Sequence, residues 1–252
     1  MIELEGKNII ITGGSRGIGR ATCKMLAGVG ARVLFGYHRD HESAKSLVAE
    51  ITDAGGTAIA QAGDVRLAET ASAMFDTCVA EWGSCDVVVG NAGIWKKVSV
   101  EDMTPAQWRE MMEINLDSCY HLCHFAAKVM KPQRSGKIIL ISSSAGQRGE
   151  AYHAHYAATK AGVIALAKSL AGELGPNQIN VNCVCPGWVE TDMTDQILSG
   201  PEFRETVRQR VPLRRIATPE DVAGVIAFLA SDLARHIQGE AINVNGGSVL
   251  CG

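Results

Sequence analysis

The chain has 252 residues, enough to bury a sizeable core in one large domain or two small ones. Its formal net charge of -3 gives no reason to expect a nucleic acid or an anionic membrane surface as a partner. No apolar run reaches the ~18 residues that a bilayer span needs, and the amino terminus lacks the basic and apolar segments of a signal peptide. We therefore expect a cytoplasmic protein.

The first predicted strand, residues 7–12, is a continuous apolar run that leads directly into a glycine-rich turn. The turn reads Gly13-Gly-Ser-Arg-Gly17-Ile-Gly19, and a helix is predicted from residue 20 to about residue 30. A strand, a glycine turn and a helix in this order indicate phosphate binding, because the turn lets the backbone approach the anion and the helix start presents N–H groups to it.

Strands and helices alternate along the rest of the chain. Further strands are predicted at residues 31–36, 57–61 with Asp64 and Val65 closing that strand, 85–89, 137–142, 179–184 and 240–245. Helices are predicted at residues 42–54, 68–82 and 105–130, around Tyr156, and from Pro219 onward. This alternation predicts an α/β fold, a Rossmann-type doubly wound parallel sheet of about seven strands with helices on both faces. We see no domain boundary and expect one domain over residues 1–252.

A serine run and a tyrosine–lysine pair mark the predicted centre of the chemistry. Ser142, Ser143 and Ser144 follow a predicted buried strand. Tyr156 and Lys160 are four residues apart on the next helix, so they share one face and the ammonium can lie beneath the phenol. Taken alone, such a pair is more often a packed helix face than a catalytic one.

A polar and helical insertion at about 188–215 is predicted to close over a substrate as a lid. It carries a cluster of arginines, which are Arg204, Arg208, Arg210, Arg214 and Arg215. These arginines indicate either a solvated helix face or a rim that attracts anions.

Cysteine is frequent, and most of its positions lie inside apolar strand or helix patterns. The eight are Cys23, Cys78, Cys85, Cys119, Cys123, Cys183, Cys185 and Cys251. In a chain of this length they read as small core residues in a reducing compartment. The run 119–124 looks superficially like metal ligands, but on a helix residues 119 and 123 share a face while residue 121 points away, so we predict no metal site.

Over essentially its whole length the chain resembles the short-chain dehydrogenase/reductase family. The matching features are the stretch from Thr12 to Gly19, the tripeptide 91–93, Asn115, Ser143, Tyr156 with Lys160, and Pro186-Gly187 with Thr191. The glycine spacing is Gly-x-x-x-Gly-x-Gly. The chain departs from the family at Gly90, where an asparagine is usual, and at Asn245, where many relatives have aspartate.

The resemblance implies a catalytic set of Asn115, Ser143, Tyr156 and Lys160. Tyr156 is expected to act as the acid, with a pKa lowered by Lys160 and by oxidised nicotinamide. Ser143 is expected to hydrogen-bond the substrate oxygen. Lys160 is expected to bind the nicotinamide ribose, and Asn115 to hold a water that connects Lys160 to solvent.

The resemblance also implies a set of cofactor-binding residues. They are Gly13, Ser15, Arg16, Gly17, Ile18, Gly19, Tyr37, His38, Arg39, Asp64, Val65, Asn91, Ala92, Gly93, Tyr156, Lys160, Pro186, Gly187, Val189 and Thr191. NAD-selective members usually carry an acid at the end of the second strand, but here the first acid is Asp40. Because Arg16 and Arg39 match phosphate oxygens, we expect NADP(H) unless both arginines are merely solvated.

For the substrate, the chain resembles the bacterial 3-oxoacyl-[acyl-carrier-protein] reductases. This implies an NADPH-dependent reduction of a 3-oxoacyl thioester, with acyl carrier protein as a partner. Arg134 fits one carrier-docking position, while Asn177 stands where the other docking arginine is expected. The alternatives are an alcohol or sugar dehydrogenase acting oxidatively and a non-enzymatic cofactor-sensing protein. Relatives commonly form tetramers through the helix of Tyr156 and the 105–130 helix, so we expect a homotetramer.

Overall fold

The computed structural model describes residues 2–250. Its strands form one parallel sheet of seven in the order β3-β2-β1-β4-β5-β6-β7. The strands are β1 Asn8–Ile11, β2 Arg32–Tyr37, β3 Thr57–Ala62, β4 Val87–Gly90, β5 Gly136–Ile141, β6 Ile179–Pro186 and β7 Ala241–Val244. The predicted doubly wound α/β fold is therefore confirmed.

Ten α-helices connect these strands within the described residues. They are α1 Gly17–Ala27, α2 His41–Asp53, α3 Ala68–Trp82, α4 Pro105–Met112, α5 Ser118–Gln133, α6 Ser144–Arg148, α7 Ala154–Leu174, α8 Asp192–Leu198, α9 Pro201–Arg210 and α10 Pro219–Ala230.

The strands are apolar throughout because both faces of the sheet are covered. In β1 the side chains of Ile9 and Ile11 enter the core beneath α1 and α10, whereas Ile10 enters the core on the opposite face. Each fully buried isoleucine contributes roughly 1.5–3 kcal/mol of transfer free energy. Two separate cores thus hold the sheet, one on each side.

The strand order reverses between β1 and β4, and this reversal opens a crevice. β1 pairs in parallel with β2 on one side and with β4 on the other, so the connections leave the sheet in opposite directions. In an open parallel sheet, ligands bind at the carboxyl ends of the strands where the order reverses. This position is therefore the expected place for a site.

Two predicted boundaries are wrong. The third strand ends at Ala62, and the Asp64 carboxylate accepts the Arg66 N–H at 3.0 Å. This local hydrogen bond competes with the hydrogen bonds between strands that would extend β3. Asp64 and Val65 therefore lie in the loop that follows the strand. The predicted 105–130 helix is interrupted by a π-helical turn, Glu113–Asp117, between α4 and α5. A π-helical turn contains one residue more than an α-helical turn, and the spacing of apolar residues in the sequence does not reveal this insertion.

The segment 188–215 contains α8 and α9, joined by a small apolar cluster of Leu198, Val207 and Ile216. Three of its arginines form surface ion pairs, Arg204 with Glu190, Arg208 with Glu205 and Arg215 with Asp221. All five arginines are exposed. The geometry favours a solvated face over an anion-attracting rim.

The cysteines lie in the cores, as predicted. Seven of them, all in the described part of the chain, are buried and unpaired, while Cys251 lies outside the described residues. On α5, Cys119 and Cys123 share the buried side and His124 is exposed. Within residues 2–250 no helix combines the length and apolar character needed to cross a bilayer.

Candidate active site

A cleft of about 730 Å³ lies at the carboxyl edge of the sheet. It is lined by the segments that follow β1 to β6, together with residues of α6 and α7. The contributing positions are Glu110, Ile114 and residues within the ranges 13–18, 36–40, 63–66, 91–95, 141–150, 156–160 and 186–194. Nearly all the residues predicted from the sequence therefore meet in one cavity. Gly19 and Asn115 lie behind its wall instead.

The glycine turn is packed too tightly for side chains. A Cβ on Gly19 would lie 2.1 Å from the Gly13 carbonyl oxygen and 2.6 Å from Asn91 Nδ2, so the turn closes only with glycine there. Helix α1 begins at Gly17, and the Arg16 side chain makes no capping hydrogen bond. The first N–H groups of α1 are thus available to an anion in the cleft, which fits a dinucleotide pyrophosphate.

Asn91 fastens the end of β4 to the glycine turn. Its Nδ2 donates to the carbonyls of Thr12 at 3.0 Å and of Gly13 at 2.9 Å, and its N–H donates to Thr12 Oγ1 at 3.0 Å. The preceding Gly90, where the family usually has asparagine, packs closely on Leu140, because a Cβ there would lie 2.8 Å from Leu140 Cδ2. A larger residue at position 90 would require Leu140 to shift.

At the end of β2, Tyr37, His38, Arg39 and Asp40 line the cleft. Asp40 also caps α2 by accepting the Ser43 N–H at 3.0 Å on one carboxylate oxygen, and this hydrogen bond holds the pKa of Asp40 below its usual value. One oxygen of the first carboxylate after β2 is therefore engaged by the helix.

Asp64, which also lines the cleft, is neutralised by a neighbouring cation. The Arg66 guanidinium binds both its carboxylate oxygens, and these hydrogen bonds lower the pKa of Asp64 to about 2. His38 Nε2 lies 3.8 Å from the same carboxylate. The pocket wall at this point is an ion pair rather than a free negative charge.

The three serines after β5 have different roles. Ser142 Oγ is buried and donates to the Lys160 carbonyl at 2.7 Å, which ties β5 to α7. Ser143 Oγ accepts the Ala145 N–H at 3.1 Å at the start of α6, and its hydroxyl lies near enough to the Tyr156 phenol to lower the pKa of that phenol. Ser143 is the serine that meets Tyr156.

Tyr156 and Lys160 occupy one face of α7, as predicted from their spacing. Lys160 Nζ lies 5.7 Å from the centroid of the Tyr156 ring and donates to the Ile141 carbonyl at 2.8 Å. Lys160 is only 4% exposed, and burial lowers its pKa. The ammonium is thus held beneath the ring by the end of β5.

In the protein alone the pKa of Tyr156 is raised rather than lowered, and the expected effect of oxidised nicotinamide stays a prediction. Burial raises the pKa of Tyr156 to about 12, the nearby Ser143 hydroxyl lowers it, and the Glu150 charge raises it. Lys160 lies under the ring and bonds a carbonyl group, so its charge does not offset the cost of burying a phenolate. The protein by itself keeps this phenol protonated.

Asn115 sits in the π-helical turn and is completely buried. Its side chain bonds both backbone groups of Ile94, which belongs to the loop after β4. A Cβ on Gly93 would lie 3.3 Å from Asn115 Oδ1 and 3.6 Å from Lys160 Nζ, so these two groups flank the same short backbone segment.

Among the cleft residues that the sequence reasoning missed are Trp95, Glu150 and Trp188. A signal for them was present. The chain has only four tryptophans, and two of them come within two residues after a cleft motif, Trp95 after the tripeptide 91–93 and Trp188 after Pro186-Gly187. Glu150 lies on the connection between Ser143 and Tyr156.

The fold and this cleft define a dinucleotide-dependent enzyme, and comparison with known proteins names its class. A family model described as enoyl-(acyl carrier protein) reductase matches residues 13–248. The protein belongs to the short-chain dehydrogenase/reductase family, a class of oxidoreductases that use a nicotinamide cofactor to interconvert alcohols and carbonyl compounds.

Individual relatives differ in the activity they are named for. The chain is 42% identical over 245 residues to an L-rhamnose 1-dehydrogenase (NAD(P)(+)) of Azotobacter vinelandii, covering 96% of each chain. It is 38% identical over 251 residues to a 3-oxoacyl-[acyl-carrier-protein] reductase of Synechocystis, covering 99% of this chain and 100% of the relative. A solved dehydrogenase/reductase from Sinorhizobium meliloti superposes with a TM-score of 0.91 at 35% identity, covering 99% and 97% of the two chains.

Proposed function

We propose that the protein is an NADP(H)-dependent oxidoreductase that uses Tyr156 as the proton donor and acceptor in the interconversion of a carbonyl group and an alcohol. The observation that carries this proposal is the meeting of the Ser143 hydroxyl, the Tyr156 phenol and the Lys160 ammonium inside the cleft. When bound, the nicotinamide supplies or accepts the hydride.

In the direction of reduction, the Tyr156 phenol donates its proton to the carbonyl oxygen while that oxygen gains negative charge. The Ser143 hydroxyl donates a hydrogen bond to the same oxygen and holds it in place. Because the pKa of Tyr156 is about 12, the phenol is fully protonated at neutral pH and ready to act as an acid. In the direction of oxidation, the same group must first lose its proton.

Lys160 holds the phenol and the cofactor ribose in one arrangement. Its ammonium is fixed by the Ile141 carbonyl at 2.8 Å and lies beside Gly93. Its remaining N–H groups bind ribose hydroxyls. Asn115 supports this arrangement from behind by fixing the loop at Ile94.

The preference for NADP(H) is supported by the charges at the end of β2. Arg16 and Arg39 both line the cleft, and His38 Nε2 lies 3.8 Å from the Asp64 carboxylate. The nearest carboxylates are engaged by other groups, Asp40 by the N–H of Ser43 and Asp64 by Arg66. Guanidinium groups suit a 2′-phosphate.

The names of the relatives support two substrate classes. A 3-oxoacyl thioester is the class expected from the sequence, with acyl carrier protein as the partner. Arg134, however, directly precedes β5, so about 20 Å of strand separates it from the carboxyl edge where Tyr156 lies. Its guanidinium donates to the Pro176 carbonyl. Carrier docking through Arg134 therefore does not lead to the cleft of the same chain.

A sugar or alcohol dehydrogenase is the second candidate, and the composition of the cleft wall favours it. Trp95, Trp188 and a carboxylate, Glu150, form the side of the cleft beyond Tyr156. A charged wall of this kind suits a hydroxylated substrate better than an acyl chain.

We propose that the protein forms a homotetramer through α5 and α7, which carry exposed small and aromatic residues. Ala161 and Ala165 are exposed on α7, and Tyr120 is exposed on α5. Small residues let two copies of a helix approach closely. Sedimentation of the purified protein tests this, and a monomer at micromolar concentration would contradict it.

Turnover of NADPH and NADH by the purified enzyme tests the function. We expect a higher kcat/KM with NADPH, and we expect Tyr156→Phe to lose about 10²–10⁴-fold in kcat while still binding NADPH. Near-full activity of Tyr156→Phe would refute the assignment of Tyr156, and preference for NADH would refute the cofactor assignment.

A further inference from the structure

The wall formed by Trp95, Glu150 and Trp188 has a chemistry that points to one class of substrate. We propose that it binds the hydroxyl groups of a neutral polyhydroxylated substrate, a sugar or a polyol, and that Glu150 determines this specificity. This inference rests on the oxidoreductase function proposed above and names the substrate class of the same site.

Trp95 is fixed in orientation by two neighbours. The imidazole of His153 stacks on its ring with centroids 4.4 Å apart and planes at 1°. Its Nε1–H donates to Glu150 Oε2 at 3.2 Å. His153 is itself buried, and its Nδ1 lies 3.0 Å from the Ala151 carbonyl oxygen. The indole is therefore a rigid part of the wall.

Trp188 turns this wall into a corner. Its ring stands at 86° to the ring of Trp95 with centroids 5.8 Å apart, and Phe203 of α9 packs against it at 5.6 Å. The two indoles come from the loops after β4 and β6, so the corner spans the cleft. Rigid aromatic surfaces of this kind pack well against the C–H faces of a sugar ring.

Glu150 provides hydrogen-bond acceptors in this corner. One carboxylate oxygen accepts the Trp95 N–H, while the other lies 3.9 Å from His153 Nδ1, which is too far for a hydrogen bond. Acceptor capacity therefore remains for hydroxyl donors of a substrate. An acyl chain laid over Glu150 would desolvate the charge without offering it a donor, which is unfavourable.

The charge of Glu150 also selects against anionic substrates. It acts at the reacting end of the cleft, since it raises the pKa of the Tyr156 phenol. Arg148 lines the same cleft but is exposed. A substrate carboxylate placed beside Glu150 would be repelled, whereas a neutral hydroxyl group would donate to it.

A panel of alcohols with the NADP-loaded enzyme tests this inference. The neutral probes are D-glucose, D-xylose, L-arabinose and D-mannitol, the anionic probe is D-gluconate, and 2-butanol is a simple alcohol. The reverse reaction is measured with acetoacetyl-CoA. We expect a neutral sugar or polyol to give the highest kcat/KM.

The variant Glu150→Gln keeps the shape of the side chain and removes its charge. We expect the ratio of kcat/KM for the best neutral sugar or polyol to that for 2-butanol to fall about tenfold, because charge-assisted hydrogen bonds are the stronger ones. Using this ratio cancels any effect of the variant on Tyr156 that is common to both alcohols. Glu101→Gln, an exposed acid outside the cleft, is the matched control and should leave the ratio unchanged.

The failures can be told apart. A highest kcat/KM with acetoacetyl-CoA, 2-butanol or D-gluconate, or an unchanged ratio in Glu150→Gln, overturns the substrate class while the oxidoreductase proposal stands. Absence of turnover with every probe overturns both proposals.

Discussion

The Asn115 side chain forms two hydrogen bonds with the backbone of Ile94. Its Oδ1 accepts the Ile94 N–H at 2.8 Å, and its Nδ2 donates to the Ile94 carbonyl at 2.9 Å. A π-helical turn in one helix thereby fixes the loop that carries Gly93 and Trp95. The relationship makes Asn115 a positioning residue for both the cofactor side and the substrate side of the cleft.

Replacing Asn115 should therefore destabilise the protein as well as impair turnover. Asn115→Ala leaves the half-buried N–H and carbonyl of Ile94 without their partners, and we expect a loss of about 2–4 kcal/mol in the free energy of unfolding. Urea denaturation measures this loss. Asn177→Ala is the control and should change the value by less than about 0.5 kcal/mol. Equal stability of the two variants would show that the Asn115 contacts do not hold the loop.

The raised pKa of Tyr156 predicts different pH dependences for the two directions. Reduction needs the neutral phenol, which persists up to the pKa of about 12, so its kcat/KM should stay level from about pH 6 to about pH 9. Oxidation needs the phenolate, whose population grows as the pH rises toward the pKa. Its kcat/KM should therefore increase with pH over the same range.

Glu150→Gln should change the pH at which kcat/KM for oxidation rises. The Glu150 charge raises the pKa of Tyr156, so its removal lowers that pKa and shifts the rise in oxidative kcat/KM to lower pH. The comparison is made with 2-butanol, which has no second hydroxyl to interact with the mutated side chain. A shift toward higher pH would contradict the assigned influence of Glu150 on the phenol.

The cofactor preference should depend on the arginines at the adenosine side. In Arg39→Ala we expect kcat/KM with NADPH to fall about tenfold or more, since a charge-assisted contact to phosphate is lost, while the value with NADH stays nearly the same. Arg210→Ala removes an exposed arginine of α9 outside the cleft and serves as the control. A parallel loss with both cofactors would indicate that Arg39 supports the fold rather than the phosphate.

Gly19 should be intolerant of even a methyl group. In Gly19→Ala the new Cβ would lie 2.1 Å from the Gly13 carbonyl oxygen, so the turn must open, and we expect cofactor affinity to fall more than tenfold. Gly172→Ala is a matched control in α7, because a Cβ there meets nothing within 4 Å. The control should bind cofactor normally and gain about 0.5–1 kcal/mol in stability. Titration of NADPH fluorescence measures both affinities.

Periodicity and motif order were sufficient to predict most of the fold. Ile9, Ile10 and Ile11 form one apolar run because the strand is covered on both faces, and that pattern is visible in a single sequence. The spacing of Tyr156 and Lys160 likewise translated directly into one face of α7. Features with a fixed local period were thus predictable.

The features that escaped prediction depend on contacts between distant segments. The π-helical turn at Asn115 is stabilised by the backbone of Ile94, 21 residues away, which no local pattern records. The pKa of Tyr156 is set by burial, a property of the folded chain and not of the i, i+4 spacing. The corner of Trp95 and Trp188 joins loops after strands that are far apart in the sequence.

The amide of Asn91 reaches the Gly13 carbonyl across 78 residues of chain, and this span has a consequence for biosynthesis. Neither half of the chain contains a complete dinucleotide site. The glycine turn belongs to the amino-terminal half, whereas Thr191, which lies beside Gly17, belongs to the carboxyl-terminal half. A nascent polypeptide must therefore expose most of its length before it can capture a nucleotide. Fragments that end anywhere upstream of β6 would not bind the cofactor. Stabilisation of a folding-impaired variant by bound cofactor would therefore act only on full-length molecules.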